Sequence, residues 1–443
     1  MSEERIIKPS SSAWQGYEIV LFRFLFIYFV LQVIPLDLTY LRGLDEINWL
    51  YPGYEDIFFI TRYFPNFFSN QGGFAEWGII AVIAAIGTLI WSKKARQTTN
   101  YSELYYWLRV ILRFRLALGI IGYGIIKIFT LQAPFPSLSN LTTNYGDLSS
   151  WKIFSMSLGI VPGYEMFLGS VELLAGLLLL FRKTSSIGAL IVLIFTGNVF
   201  ISNLAYGGGE YVYSLYLISM ALFVFSYDAP RIFNLVYHGR PTAPNVFKPL
   251  GSGKSMRLAL KSLFIFLFVG VYGFKTYSVY QHNAYQFPRT AGLAGITGIY
   301  NVSVFKINGK LLPYSLTDTL RWKDVVFEKW ATMSVRSNKP IHLETENYEQ
   351  IHKQDQDRNY ELSGAGGRQY YSYTVDSLRQ RLVLLNRNKN EKQDAMFLNF
   401  TRPDGTTVVL SSVNASQDSL YVVLTKINKQ YPATMGRLGR IKL

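Results

Sequence analysis

The chain contains no cysteine and only four histidines in 443 residues. Without cysteine there is no disulfide to brace an outer domain, no dithiol to shuttle electrons and no cysteine-ligated iron–sulfur cluster. None of the histidines falls within a long apolar run, and the pair His342 and His352 has no standard zinc spacing. We therefore predict no metal site and see no cofactor that the chain would carry by itself.

Charged residues are also scarce, at 16%, whereas hydrophobic residues make up 49% of the chain. This balance is typical of a membrane protein. Seven apolar runs are each close to the ~20 residues that cross a bilayer. They are residues 17–36, 75–91, 105–129, 164–181, 185–204, 211–227 and 258–279. The sequence thus predicts an N-terminal tail at 1–16 and a seven-span transmembrane domain at 17–279.

Loop charges indicate the orientation of these spans. Lys and Arg are concentrated in residues 92–104, in the turn containing Arg182 and Lys183, and in residues 228–257. By the positive-inside rule these loops and the N-terminus are cytoplasmic. The chain beyond residue 279 then lies outside, which is the periplasm for a bacterial inner membrane. The net charge of +15 follows from this topology and favours attraction to anionic lipid over nucleic-acid binding.

Residues 280–443 are more polar and contain short alternating runs separated by turn residues. Asn308-Gly309, between GIYNVSVFKI and KLLPYSL, is the strongest hairpin signal. About eight strands in this length predict a single extracytoplasmic β-sandwich or barrel-like domain. No nucleotide-binding motif is present, since Gly251–Ser255 lacks the first glycine of a phosphate loop.

Glu172 lies within the apolar stretch LGSVELLAGLLLLFRK, where a carboxylate is costly unless it is paired, protonated or facing a cavity. Depth counted along the helices predicts that Arg115, with Arg113 nearby, meets Glu172. Further polar residues of the same four helices define a second group toward the outer side, and we predict that they form a ligand-binding cleft. They are Tyr123, Lys127, Glu165, Asn198, Asn203 and Tyr206. Each group also has a purely structural interpretation. The first would be a buried ion pair that fixes the helix register, and the second would supply interhelical hydrogen bonds.

The runs RLALGIIGYGIIKIFTLQAPFP, GSVELLAGLLLLFRKTSSIGAL and GNVFISNLAYG resemble the four-helix core of DoxX-like membrane proteins, over about residues 105–235. The resemblance extends to a long bacterial form with extra helices and a C-terminal domain. It implies that Glu172, Lys127 and the two asparagines match core positions of the family. One departure is Gly207–Tyr213, where the longer relatives have an acidic residue and a lysine, so a charged pair at the outer mouth is expected to be missing.

Two functions follow from these observations. The first is a non-catalytic envelope subunit that displays the β domain and binds partner membrane or periplasmic proteins. The second, implied by the resemblance, is a subunit of an oxidoreductase that binds a quinone near Tyr123, Lys127 and Asn203. Because the chain shows no electron carrier, the first is preferred.

Overall fold

A computed structural model describes residues 14–67, 73–94, 101–242, 253–281, 286–345, 354–376, 378–391, 395–413 and 418–435. The predicted N-terminal tail, apart from its last residues, lies outside this description, as do His352 and the segment from 436 onward. The chain forms two compact units. The helical unit comprises Met1–Ile126, Leu168–Leu204 and Glu210–Thr276, and the barrel unit comprises Lys127–Phe167, Ala205–Gly209 and Tyr277–Leu443.

This division differs from the single boundary at residue 279 expected from the sequence. Residues 127–167 link two apolar runs, and the sequence assigns them to the membrane domain by position alone. In the structure they pack with the strands through buried polar side chains, which hydropathy does not reveal. The barrel unit is therefore assembled from three separate parts of the chain.

The α-helices follow one another along the chain as a series of long and short elements. They are α1 (Gly16–Val33), α2 (Leu38–Asp45), α3 (Tyr54–Thr61), α4 (Phe74–Lys94), α5 (Tyr101–Ile128), α6 (Leu138–Thr142), α7 (Ser150–Gly159), α8 (Pro162–Leu180), α9 (Ser185–Tyr206), α10 (Tyr211–Ser226), α11 (Ala229–Val236), α12 (Lys254–Ile265), α13 (Tyr272–Gln281) and α14 (Pro432–Met435). A π-helical turn, Phe266–Val271, joins α12 to α13.

Five helical stretches among the described residues are long and apolar enough to cross a membrane, and the bent pair α10 and α11 would make a sixth. They are Gly16–Asp45, Phe74–Lys94, Pro162–Leu180, Ser185–Tyr206 and Lys254–Gln281. The 28-residue α5 is long enough but carries three arginines, at 109, 113 and 115. The helical architecture is as expected, while the count of seven spans stays a prediction.

Small residues let these helices approach closely. A Cβ added to Gly124 of α5 would lie 2.8 Å from the backbone nitrogen of Leu173 in α8, and one added to Gly176 would lie 2.5 Å from Ile121. Gly122 makes similar room for Thr61. The glycines of α5 and α8 are therefore close-packing positions, as the sequence predicts.

The strands form one antiparallel sheet that closes on itself. They are β1 (Gly298–Ile307), β2 (Lys310–Leu311), β3 (Asp324–Phe327), β4 (Thr332–Arg336), β5 (Arg368–Asp376), β6 (Arg381–Asn386), β7 (Met396–Thr401), β8 (Thr407–Val413) and β9 (Ser419–Ile427). β1 pairs with β3, each strand from β3 to β8 pairs with the next one along the chain, and β9 pairs back with β1. This closure makes an eight-strand barrel and confirms the predicted β domain. The two-residue β2 pairs with β1 and is not one of the eight strands.

Local sequence explains two details of the barrel. Asn308 and Gly309 both have positive φ, 51° and 74°, as a two-residue hairpin turn requires. On β1 the buried residues Tyr300 and Val302 alternate, but the next is Phe305. A register irregularity between Val302 and Val304 shifts the alternation by one residue, which is the effect of a β-bulge.

Candidate functional site

Arg115 lies deep in the helical unit and binds the end of a short helix. Its guanidinium donates to the carbonyl oxygen of Thr61 at 2.9 Å and to that of Tyr63. It also lies 5.7 Å from the ring centre of Tyr216. These carbonyls are at the C-terminus of α3, where unpaired carbonyl groups carry partial negative charge. Arg115 therefore caps α3 and finds its negative partners in backbone dipoles.

Glu172, on α8, lies beside a different part of α5. A Cβ at Gly124 would be 3.3 Å from the Glu172 Cβ, and Gly124 is nine residues beyond Arg115, about 13.5 Å along the helix. The structure thus does not bring Arg115 and Glu172 together as predicted. The depth count fails because α5 extends well past the C-terminal end of α8. Arg113, expected in the same network, is instead within reach of the charges of Arg109 and Arg182.

A second polar group in the helical unit surrounds Glu210, the residue before α10. Its carboxylate accepts a hydrogen bond from the Tyr123 hydroxyl at 2.9 Å and forms an ion pair with Arg62. Its backbone N–H donates to the Asn203 side chain at 3.1 Å. We call Arg62, Tyr123, Asn203 and Glu210 the Glu210 cluster.

The Glu210 cluster brings two of the predicted cleft residues together and contains a charged pair that was expected to be missing. Tyr123 and Asn203, both predicted site residues, lie in it together. The charged pair that was expected to be missing near the glycine-rich segment is present as Glu210 and Arg62, because Arg62 follows α3 and lies outside residues 105–235. Sequence reasoning missed Arg62, since it belongs to no apolar run and lies 148 positions before Glu210.

The remaining predicted residues are placed differently. Asn198 is exposed on α9. Glu165, Lys127 and Tyr206 belong to the barrel unit. The Glu165 carboxylate accepts from the backbone N–H groups of residues 132 and 133, both at 3.1 Å, Lys127 is buried, and Tyr206 stacks on Phe154 with ring centres 4.8 Å apart. The predicted cleft is thus divided between the two units.

The barrel unit holds a buried ionic group that the sequence did not predict. Glu361 is fully buried, accepts a hydrogen bond from the Trp330 indole at 2.9 Å and forms an ion pair with Arg387. Lys152 of α7, also fully buried, donates to the Tyr360 carbonyl oxygen. We call Lys152, Glu328, Glu361 and Arg387 the Glu361 cluster.

Glu328 connects this cluster to α6. Its carboxylate accepts from the backbone N–H and the hydroxyl of Ser139, both at 2.7 Å, and from the N–H of Leu138 at 3.3 Å. Nearby, the Asn140 side chain donates to the Glu361 carbonyl at 2.8 Å. The partners are about 190 to 220 positions apart, so no local sequence pattern predicts these contacts.

Burial shifts the acid–base behaviour of this cluster. It raises the pKa of Glu328 from 4.5 to about 7, with a further increase from the charge of Glu361. Burial likewise raises the pKa of Glu361. Burial lowers the pKa of Lys152 from 10.5 to about 7, against the attraction of Glu361.

We expect the barrel unit to be least stable near pH 7. The stability that Glu328 contributes is complete below pH 4.5 and is lost as the pH rises through about 7, because the folded state holds this proton more tightly. The contribution of Lys152 is complete above pH 10.5 and is lost as the pH falls through about 7. At ~1.4 kcal/mol per pH unit, the loss from Glu328 between pH 4.5 and about 7, the acid limb, amounts to about 3 kcal/mol. The loss from Lys152 between pH 10.5 and about 7 is the alkaline limb.

Thermal unfolding at about pH 5, 7 and 9.5 measures this dependence. Glu328→Gln should flatten the acid limb and Lys152→Met the alkaline limb. A maximum of stability at pH 7 in the unaltered protein would contradict the assignment of these two groups.

Among the described residues no three His, Asp or Glu side chains are grouped so as to hold a metal ion. Comparison of the chain with protein-family models, with curated proteins and with solved structures finds no match, so the resemblance to DoxX-like proteins stays a prediction.

Proposed function

We propose that this protein is a DoxX-like inner-membrane subunit that displays its barrel unit in the periplasm and binds partner envelope proteins there. Support for the placement comes from connectivity. The chain passes between the units after Ile126, Leu204 and Thr276 and before Leu168 and Glu210. Each passage is near a helix end that the loop charges assign to the outer side.

Labelling of single cysteines tests this orientation, since the natural chain has none. Leu50, between α2 and α3, is 85% exposed, and Lys94 is exposed at the end of α4. A membrane-impermeant thiol reagent added to spheroplasts should label Leu50→Cys and leave Lys94→Cys unlabelled until the cells are lysed. The opposite pattern would reverse the proposed topology.

The observation that carries the binding role is how the barrel is held. Segment 127–167 is bound to the rest of the barrel unit by hydrogen bonds from Ser139 to Glu328, the residue after β3, and from Lys152 to the Tyr360 carbonyl. The barrel is therefore built together with the chain that leads into the helices and is not suspended from a single C-terminal linker. A domain held in this way presents a defined surface to a partner.

One part of that surface has the composition of a binding site. Four large apolar side chains are exposed in the stretch 311–320 that follows β1, whereas exposed apolar clusters are uncommon on domains without partners. They are Leu311, Tyr314, Leu316 and Leu320, with exposed fractions from 56% to 73%. We call these residues the apolar loop.

Affinity purification of cross-linked full-length protein, followed by analysis of proteins and lipids, tests this function. We expect a fixed set of envelope proteins that is lost on Leu316→Asp combined with Leu320→Asp. Leu378→Asp is the matched control, because Leu378 is 99% exposed on another turn of the barrel unit. Equal loss in the control, or no loss in the double variant, would count against the apolar loop.

The convergence of Tyr123 and Asn203 on Glu210 favours a second candidate function, binding of a quinone headgroup. The same purification distinguishes the two. Stoichiometric quinone that is lost on Tyr123→Phe or Lys127→Ala, without a fixed protein set, would support the quinone-binding function instead.

A further inference from the structure

Five cations of the helical unit lie near one another at the inner end of α5. The charges of Arg109 and Arg182 act on Arg113, and those of Arg113, Arg182 and Arg257 act on Lys261. We call these five residues the inner cation cluster. They come from three places in the chain: α5, the turn after α8, and α12.

Aromatic contacts hold α12 against the other two elements. Phe264 of α12 packs on Phe114 of α5, with ring centres 5.6 Å apart. The Lys261 ammonium lies 5.0 Å from the ring of Phe181, next to Arg182. The positions of these cations are therefore fixed by helix packing, and the cluster is not a set of independent surface cations.

Arg113 is the most informative member. Its side chain is only 8% exposed. Its Nε, like that of Arg109, is buried without a hydrogen-bond partner among the described residues. A buried donor left without an acceptor is unfavourable, and more so when it is charged.

Two acidic residues lie on the described elements here: Glu103, exposed in the first turn of α5, and Asp228, just before α11. Asp228 attracts Arg109, but it also binds Arg231 at 2.8 Å and the Ser186 hydroxyl. Positive charge is thus in excess at this end of the helical unit.

We propose that the inner cation cluster binds the phosphate group of an anionic phospholipid of the inner leaflet. Phosphate oxygens accept paired hydrogen bonds from guanidinium groups, and basic pockets between helices on the cytoplasmic side suit lipid headgroups. The lipid source is favoured over free phosphate by the apolar surface of α12 beside the cations. Leu258 and Leu263 of α12 and Phe266, the first residue of the π-helical turn, are 52% to 62% exposed, where acyl chains would lie.

This inference rests on the proposed membrane placement, but not on partner or quinone binding. Native mass spectrometry of the full-length protein in detergent measures lipid binding, with phosphatidylglycerol, diacylglycerol and inorganic phosphate as separate probes. We expect phosphatidylglycerol to bind and diacylglycerol, which lacks phosphate, not to bind. Arg113→Gln combined with Lys261→Gln should weaken phosphatidylglycerol binding at least roughly tenfold.

Lys94→Gln is the control for general attraction, because Lys94 is an exposed inner-side cation outside the cluster. It should leave the affinity unchanged. If Arg113→Gln fails to fold, Lys261→Gln alone should still reduce binding, since Lys261 is on the better exposed helix. Equal binding by Lys261→Gln and the unaltered protein would overturn the proposal, and so would inorganic phosphate that binds as tightly as the lipid. The thiol-labelling pattern tests membrane placement separately.

Discussion

Replacing Glu361 by leucine is expected to lower the free energy of unfolding of the barrel unit by about 3 to 5 kcal/mol, because it leaves buried cations without their carboxylate. Arg387 loses its ion pair and Trp330 loses its acceptor. Lys152 loses the negative charge that favours its protonated form. The side chain is fully buried, so water cannot replace these interactions without opening the structure.

Thermal unfolding and protease resistance of the full-length protein in detergent measure the loss. Lys339→Met is the matched control, since Lys339 forms an exposed pair with Glu391 at 3.2 Å, for which less than about 1 kcal/mol is expected. Adding Arg387→Met to Glu361→Leu should restore part of the stability, because the orphaned cation is then removed. A change for Glu361→Leu as small as that of the control would show that the cluster does not stabilise the barrel unit.

Replacing Arg115 by methionine is expected to release α3 from the helical unit, with a loss of about 3 to 5 kcal/mol. The carbonyl groups of Thr61 and Tyr63 lose a charged donor, and hydrogen bonds to charged groups contribute ~1.5 to 3 kcal/mol each. Arg115→Lys should be intermediate, because one ammonium lacks the fixed fork of a guanidinium.

A cysteine probe makes this release visible at the helix itself. Thr61 is 1% exposed, so Thr61→Cys should react slowly with a thiol reagent in the otherwise unaltered chain and quickly when Arg115→Met is added. Leu50→Cys is exposed in either background and should react at the same rate. Slow labelling at position 61 in the Arg115→Met protein would mean that α3 is held by other contacts.

The elements that the sequence predicts well are those with strong local patterns. The apolar runs become long helices, and Asn308-Gly309 makes the turn it indicates, because both signals depend on neighbouring residues alone. The eight-strand closure was expected only as a choice between sandwich and barrel. Pairing of β1 with β9 joins residues more than 110 positions apart, and no periodicity encodes it.

The candidate sites were less predictable for the same reason. An apolar pattern shows that α5 and α8 are helices, but not how far one is displaced along the other, so Arg115 was assigned to Glu172. The helix α3 has eight residues and cannot be recognised as a span, although its end supplies the partners of Arg115. No local sequence pattern identifies Arg62, Lys152 or Glu328. Their roles depend on partners that are far away in the sequence.

The three-part assembly of the barrel unit also has a consequence for biosynthesis. In the proposed orientation, α6 and α7 reach the periplasm before the 260 residues between Phe167 and the end of β9 at Ile427 have been made. At ~5 to 20 residues per second, that is roughly 13 to 52 s. Ser139 and Lys152 lack their partners until Glu328 and Tyr360 have followed, and the barrel closes only when β9 arrives, so the segment between α5 and α8 is an early substrate for periplasmic chaperones and proteases.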